Sequence, residues 1–329
     1  MPAWIWLAVL LLATLPAHGA TNRLVVAVAD PRLVTGLHVD DTRVAATLAT
    51  GLTELTGQPD LASALRQFVK PHDVVGLKIS TATGPLHTTR RPLVNALVAG
   101  LRAAGVPATN IWVFDRDPLR FRESGFTNSQ EVTIIGDTGW DADTFYEHRI
   151  VGKLIWGDLL FQPAREDIST RSHLPRLLTR RLTKVINLPV LRDHDALGVA
   201  GCLHNITLGL TDNIRRFEQP GPVADTAVAE MAALPAIRDK TVLHILDALV
   251  AGYAGGTAFK VRYSWPHARL YFSTDPVALD ALALELIEEQ RQAAGLSSVR
   301  PRAGHIAAAG MLGLGEANRS NITLRVLTP

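Results

Sequence analysis

Val74-Val75-Gly76-Leu77-Lys78-Ile79, then Arg91-Pro92-Leu93, then Ile111-Trp112-Val113-Phe114-Asp115 are the segments that decide the fold. Val74 to Ile79 is a short apolar run, the pattern of a strand covered on both faces. Pro92 sits in a first helical turn, where its missing N–H would be unpaired in any case. Leu93, Leu97 and Leu101 recur every four residues, and Gly105 closes the helix. Ile111 to Phe114 is the next strand. Strand, helix and strand make a βαβ unit, whose crossover is expected to be right-handed.

The alternation continues on both sides. Upstream, Leu24 to Val28 reads as a strand, Asp41 as the cap of a helix through Leu55, and Gly57 as its left-handed C-cap. A second helix covers Asp60 to Val69. Downstream, the segment from Phe121 to Asp167 is less regular, with weak strands at Val132 to Ile135 and Arg149 to Ile155. Leu177 to Arg181 closes a short basic helix, and Lys184 to Asn187 is a strand stopped by Pro189. Helices follow at Leu197 to Leu210 and Val223 to Leu234. Leu243 to Leu246 is a strand ending at Asp247, and Leu270 to Phe272 is another. Asp275 caps a long helix to Gln292, Ile306 to Met311 is helical, and Ile322 to Leu327 is a closing strand. This order predicts an α/β fold: a mostly parallel open sheet with helices on both faces, in one domain over residues 21–329.

At 329 residues and 47% hydrophobic content, the chain can bury a large core. Its net charge of +2 argues against a nucleic-acid partner, which requires a basic surface to displace counterions. Cys202 is the sole cysteine, so an intrachain disulfide, a four-cysteine iron–sulfur cluster and a Cys-rich zinc site are excluded. A buried small apolar role suits this thiol.

Trp4 to Leu15 is an almost unbroken apolar run, followed by Pro16, Ala17, His18, Gly19 and Ala20. As a helix, that run spans ~18 Å, short of a bilayer core. It reads as the core of a secretion signal over residues 1–20, with a small-residue cleavage zone; the alternative is an uncleaved anchor. The expectation is an exported, bacterial periplasmic protein with no membrane span after cleavage.

Four apolar strands each deliver a polar residue near their C-terminal end: Lys78, Asp115, Asn187 and Asp247. Ligands of open α/β sheets bind outside those ends, so these side chains are expected to share a crevice. The densest cluster is Asn187-Leu-Pro-Val-Leu-Arg192-Asp193-His194-Asp195, followed by Gly198, Gly201, His204 and Asn205. Arg192 suits a paired clamp on a carboxylate or phosphate. His194 and His204 suit proton transfer or metal binding, and Asp193 suits a base, an orienting group or a helix cap. No spacing identifies a metal.

These segments, with Gly255-Gly256 and Ser273-Thr-Asp275-Pro-Val-Ala-Leu-Asp280, resemble the family catalogued as domain of unknown function 362 over roughly Leu24 to Gly315. The resemblance implies a fold and a site location, and it carries no established reaction. Some members bear ferredoxin-like cysteine clusters, which this chain lacks. Arg192 and His204 stand where the family often has Lys.

The sequence therefore points to a small, anionic ligand in a strand-end crevice. Lys78, Asp193, His194 and His204 are the candidate catalytic groups; Asp115, Asn187, Arg192, Asn205 and Asp247 are the candidate binding groups. The cofactor is unknown. The competing reading is a non-catalytic ligand-binding or assembly protein of a redox or cofactor pathway.

Overall fold

A computed structural model describes residues 23–126, 133–135, 139–148, 170–256 and 258–328. The expected secretion signal and the strand at Arg149 to Ile155 lie outside them.

The principal sheet strands are β1 (Leu24–Ala29), β2 (Val75–Ile79), β3 (Ile111–Phe114), β4 (Thr133–Ile135), β5 (Lys184–Leu188), β6 (Val190–His194), β7 (Gly198–Ala200), β8 (Thr241–Gly252), β9 (Arg269–Ser273) and β10 (Thr323–Leu327), with the short strand Ser264–Trp265 beside the end of β8. Their main path runs β10-β1-β9-β8-β5-β2-β3-β4. Along it only β9 runs antiparallel to its neighbours, so the sheet is mostly parallel, as the alternating elements predict. The chief helices are α1 (Asp41–Thr56), α2 (Arg91–Ala103), α3 (Cys202–Ile206), α4 (Pro222–Ala233), α5 (Pro276–Ala293) and α6 (Gly304–Met311).

Side chains alternate across a strand, so each strand feeds two cores. Val26 and Val28 join Leu77, Ile79, Ile186 and Leu188 beneath α1 and α2. Val25 and Ala27 join Leu246, Tyr271 and the apolar sides of α4, α5 and α6 on the other face. The cap of α1 is Asp40, one residue before the expected Asp41: its carboxylate accepts from the Arg43 N–H at 3.0 Å. Gly57 takes the left-handed conformation that closes α1. Asp275 caps α5, as expected.

Two expectations fail around the middle of the chain. The predicted helix from Leu197 to Leu210 is a strand, β7, followed by the short helix α3. Pro189 does not end the strand region either. Having no N–H, it interrupts one strand and lets the chain resume as β6, which leaves β2 behind and runs beside the second half of β8. β7 then folds back on β6, with Arg192 opposite Ala200.

The start of α3 is held from a distance. The buried Asp280 carboxylate of α5 accepts from the N–H groups of Cys202 (2.5 Å) and Leu203 (2.9 Å), satisfying donors that a helix start leaves unpaired. Gly201 makes this approach possible, because a Cβ there would lie 2.0 Å from Asp280 Oδ1. Gly201→Ala is therefore expected to cost about 1–3 kcal/mol in urea denaturation through overpacking at a buried cap.

Candidate functional site

Lys78 is the penultimate residue of β2 and is fully buried. Burial favours its neutral form and pulls its pKa below the ordinary lysine range, while the Asp115 carboxylate opposes that pull. Its Nζ donates to Asp115 Oδ1 (2.7 Å), the Ile79 carbonyl (2.7 Å) and Asn205 Oδ1 (3.1 Å). An ammonium has three protons, and three acceptors take them. Lys78 thus has no donor left for a ligand and acts on its neighbours instead.

Asp115, just past β3, also accepts from the N–H and hydroxyl of Thr81 (2.7 and 2.6 Å) and from the Arg116 N–H (2.7 Å). Asn205 on α3 donates to Asn187 Oδ1 (2.8 Å), and Asn187 donates to the Cys202 carbonyl (3.0 Å). His244 Nδ1 lies 3.0 Å from the Asn187 amide nitrogen. Lys78, Asp115, Asn187 and Asn205 are therefore one buried network, tying β2, β3, β5 and α3 together at the rim of the sheet.

Asp247 is elsewhere. It lies in the middle of the twelve-residue β8, not at its end. Leu246 belongs to the core under α4 and α5, so Asp247 projects from the opposite face. There it accepts from the N–H of Arg90, directly before α2, at 2.9 Å. Asp193 also diverges. Its carboxylate accepts from the Gly256 N–H at 3.0 Å and lies 4.0 Å from the Arg291 guanidinium. It secures a loop and is not among the cleft residues, because it alternates with Arg192 and His194 along β6.

A cleft of about 170 Å³ opens over the network. Asp115, Arg192, His194, His204 and Asn205 line it, with Ser80, Arg116, Asp117 and Glu218 contributed by loops. Arg192 is buried, which lowers its pKa to about 10 without threatening its charge at neutral pH. Its Nη1 donates to the carbonyls of Asp193 and Gly256 (both 3.2 Å), and among the described residues no hydrogen bond engages its other nitrogens. The rings of His194 and His204 lie 4.8 Å apart. Burial, then the nearby Arg192, hold the His194 pKa at about 3. His204 is driven well below the usual range by burial, His194 and Arg192. Both imidazoles are neutral near pH 7. Beside the carboxylates of Asp115, Asp117 and Glu218, the cleft thus offers a fixed cation, a second arginine and two uncharged rings, of which the cation and rings suit an oxyanion.

Sequence reading overlooked Arg116, Asp117 and Glu218 as cleft groups. Arg116 and Asp117 follow a strand end and could have been proposed on that ground; Glu218 is brought in by tertiary packing alone. Among the described residues, no group of three or more His, Cys, Asp or Glu side chains is placed to hold a metal ion. Cys202 is buried, matching its apolar reading. No described helix is long and apolar enough to cross a membrane.

A family model described as Domain of unknown function (DUF362) matches residues 68–285, a span containing every cleft residue named above. The chain is similar to a crystal structure of a protein from Thermotoga maritima, with 11% identity and a TM-score of 0.44. That similarity covers 80% of this chain and 61% of the other. No curated protein matches.

The ion pair beneath the cleft gives a direct expectation. Lys78→Met leaves a carboxylate without its buried counter-charge and is expected to cost about 3–5 kcal/mol. Combined with Asp115→Asn, the loss should be smaller than the sum of the single losses, as read from a double-mutant cycle in urea.

Proposed function

The chain belongs to this family of unknown function, DUF362, and from that premise we propose that it binds a small anionic molecule in the Arg192 cleft. The observation that carries the reading is a buried guanidinium that lines a cleft, held by two carbonyls through Nη1 and with no hydrogen bond to its other nitrogens among the described residues, near a satisfied ion pair. A volume of about 170 Å³ is below the ~300–1,000 Å³ common for drug-sized ligands, which favours a metabolite of a few carbons over a dinucleotide.

In the catalytic form of the proposal, His204 exchanges protons with the bound molecule, because no hydrogen bond orients its ring among the described residues. One observation favours carriage without turnover: Lys78 is saturated, and both histidines are weak bases at neutral pH. Mass spectrometry of small molecules retained by the purified chain, before and after incubation, separates the two. An altered ligand supports catalysis, and an unchanged one supports carriage.

Binding itself is tested by titrating the protein with acetate, oxalate and inorganic phosphate. At least one is expected to bind, and Arg192→Gln should weaken it about 10–100-fold by removing charge-assisted bonds. If none binds and no anion co-purifies, the reading fails.

We also propose export, on the strength of the apolar run from Trp4 to Leu15 and the small residues after it. Cell fractionation and N-terminal sequencing are expected to find a periplasmic chain starting within residues 18–21, with Leu11→Arg retaining the precursor inside. A chain beginning at Met1 in the cytosol would rule export out.

A further inference from the structure

Arg192 and His194 lie two residues apart on β6, so they project from the same face of the strand, and both line the cleft. The His194 ring is held from behind. Its Nδ1 accepts hydrogen bonds from the backbone N–H groups of Ala196 (3.2 Å) and Leu197 (3.3 Å). A backbone N–H only donates, so Nδ1 must present a lone pair, and the single proton of the neutral ring stands on Nε2. Nε2 is on the other side of the ring, engaged by no hydrogen bond among the described residues, and is the nitrogen His194 has free to offer.

We infer that His194 is a fixed, neutral hydrogen-bond donor, and that with Arg192 it forms a donor-only cradle for an oxyanion that carries no proton, above all a carboxylate. The inference deepens the anion-binding reading of this cleft and rests on it. A carboxylate is an acceptor at both oxygens, matching Nε2–H and the guanidinium together. A carboxamide or a protonated acid would turn a donor toward one of these groups. At this pair of donors the ionised acid is favoured over its amide.

The surroundings keep the ring in this state. The groups facing it are Arg192 on its own strand, Arg302 in the turn before α6, His305 on α6 and His204 on α3. A proton added at Nδ1 would break two backbone hydrogen bonds and sit near two guanidinium charges. His194 is therefore a binding and positioning residue, and proton exchange, where it occurs, falls to other groups.

The test uses the intact chain with ¹⁵N-labelled histidine. The ¹H–¹⁵N spectrum is expected to show His194 protonated at Nε2 alone from pH 8 down to pH 5. Two variants supply an independent measurement: asparagine places an amide oxygen near the position of Nδ1, and glutamine places its amide near Nε2. His194→Asn should keep the melting temperature, whereas His194→Gln should lower it by about 3–6 °C by leaving two buried N–H groups unpaired. A proton on Nδ1, an imidazolium at pH 6, or equal melting of the two variants would overturn the assignment. None of these readouts needs a ligand, so a failure of anion binding is recorded separately.

Discussion

The buried contact between Lys78 and Asp115 is the constraint on which the site depends. Two opposite charges removed from water are tolerated only when their remaining hydrogen-bonding capacity is also met. Here the remaining ammonium protons go to a main-chain carbonyl and Asn205, and the carboxylate is filled out by Thr81 and Arg116. These demands fix the end of β2, the end of β3 and the position of α3 relative to one another. The pair contributes little to a ligand directly. Its effect is to make the floor of the cleft rigid.

A second buried carboxylate does comparable work from behind. Asp280 on α5 reaches through the space left by Gly201 to hold the first turn of α3, the helix that carries both His204 and Asn205. The cleft is thus assembled from two directions, by the sheet rim through Lys78 and by the long helix through Asp280.

Much of this could be read in the residues. The βαβ unit around Pro92 and the long helix after Asp275 carry strong local signals, because capping and periodicity are short-range effects. The convergence of Lys78, Asp115 and Asn187 follows from parallel neighbours ending on the same rim. Other features depend on information that a local pattern does not hold. Asp247 was misplaced because β8 continues five residues beyond it, which turns a strand-end residue into a mid-strand one facing away. The stretch from Leu197 to Leu210 reads as one helix, but a hairpin with β6 takes up the backbone bonds of Gly198 to Ala200 and leaves helix only from Cys202 to Ile206. Asp193 shares a motif with Arg192 and His194 and was separated from them only by the two-residue alternation of a strand that Pro189 had hidden. The fixing of the His194 ring was also invisible: nothing in the order of residues shows that Ala196 and Leu197 aim their amides at a single imidazole nitrogen.

The strand that resumes after Pro189 has a consequence for how any guest would be received. Because β6 extends past the ends of β2 and β3, one wall of the cleft is pleated sheet and not a loop. Arg192 and His194 stand on a surface whose conformational freedom was surrendered when the chain folded, so occupancy requires little further ordering there. Adaptation to a different guest would then fall to the segments carrying Ser80, Arg116 and Glu218, which can vary in length and charge while the sheet-borne pair stays where it is.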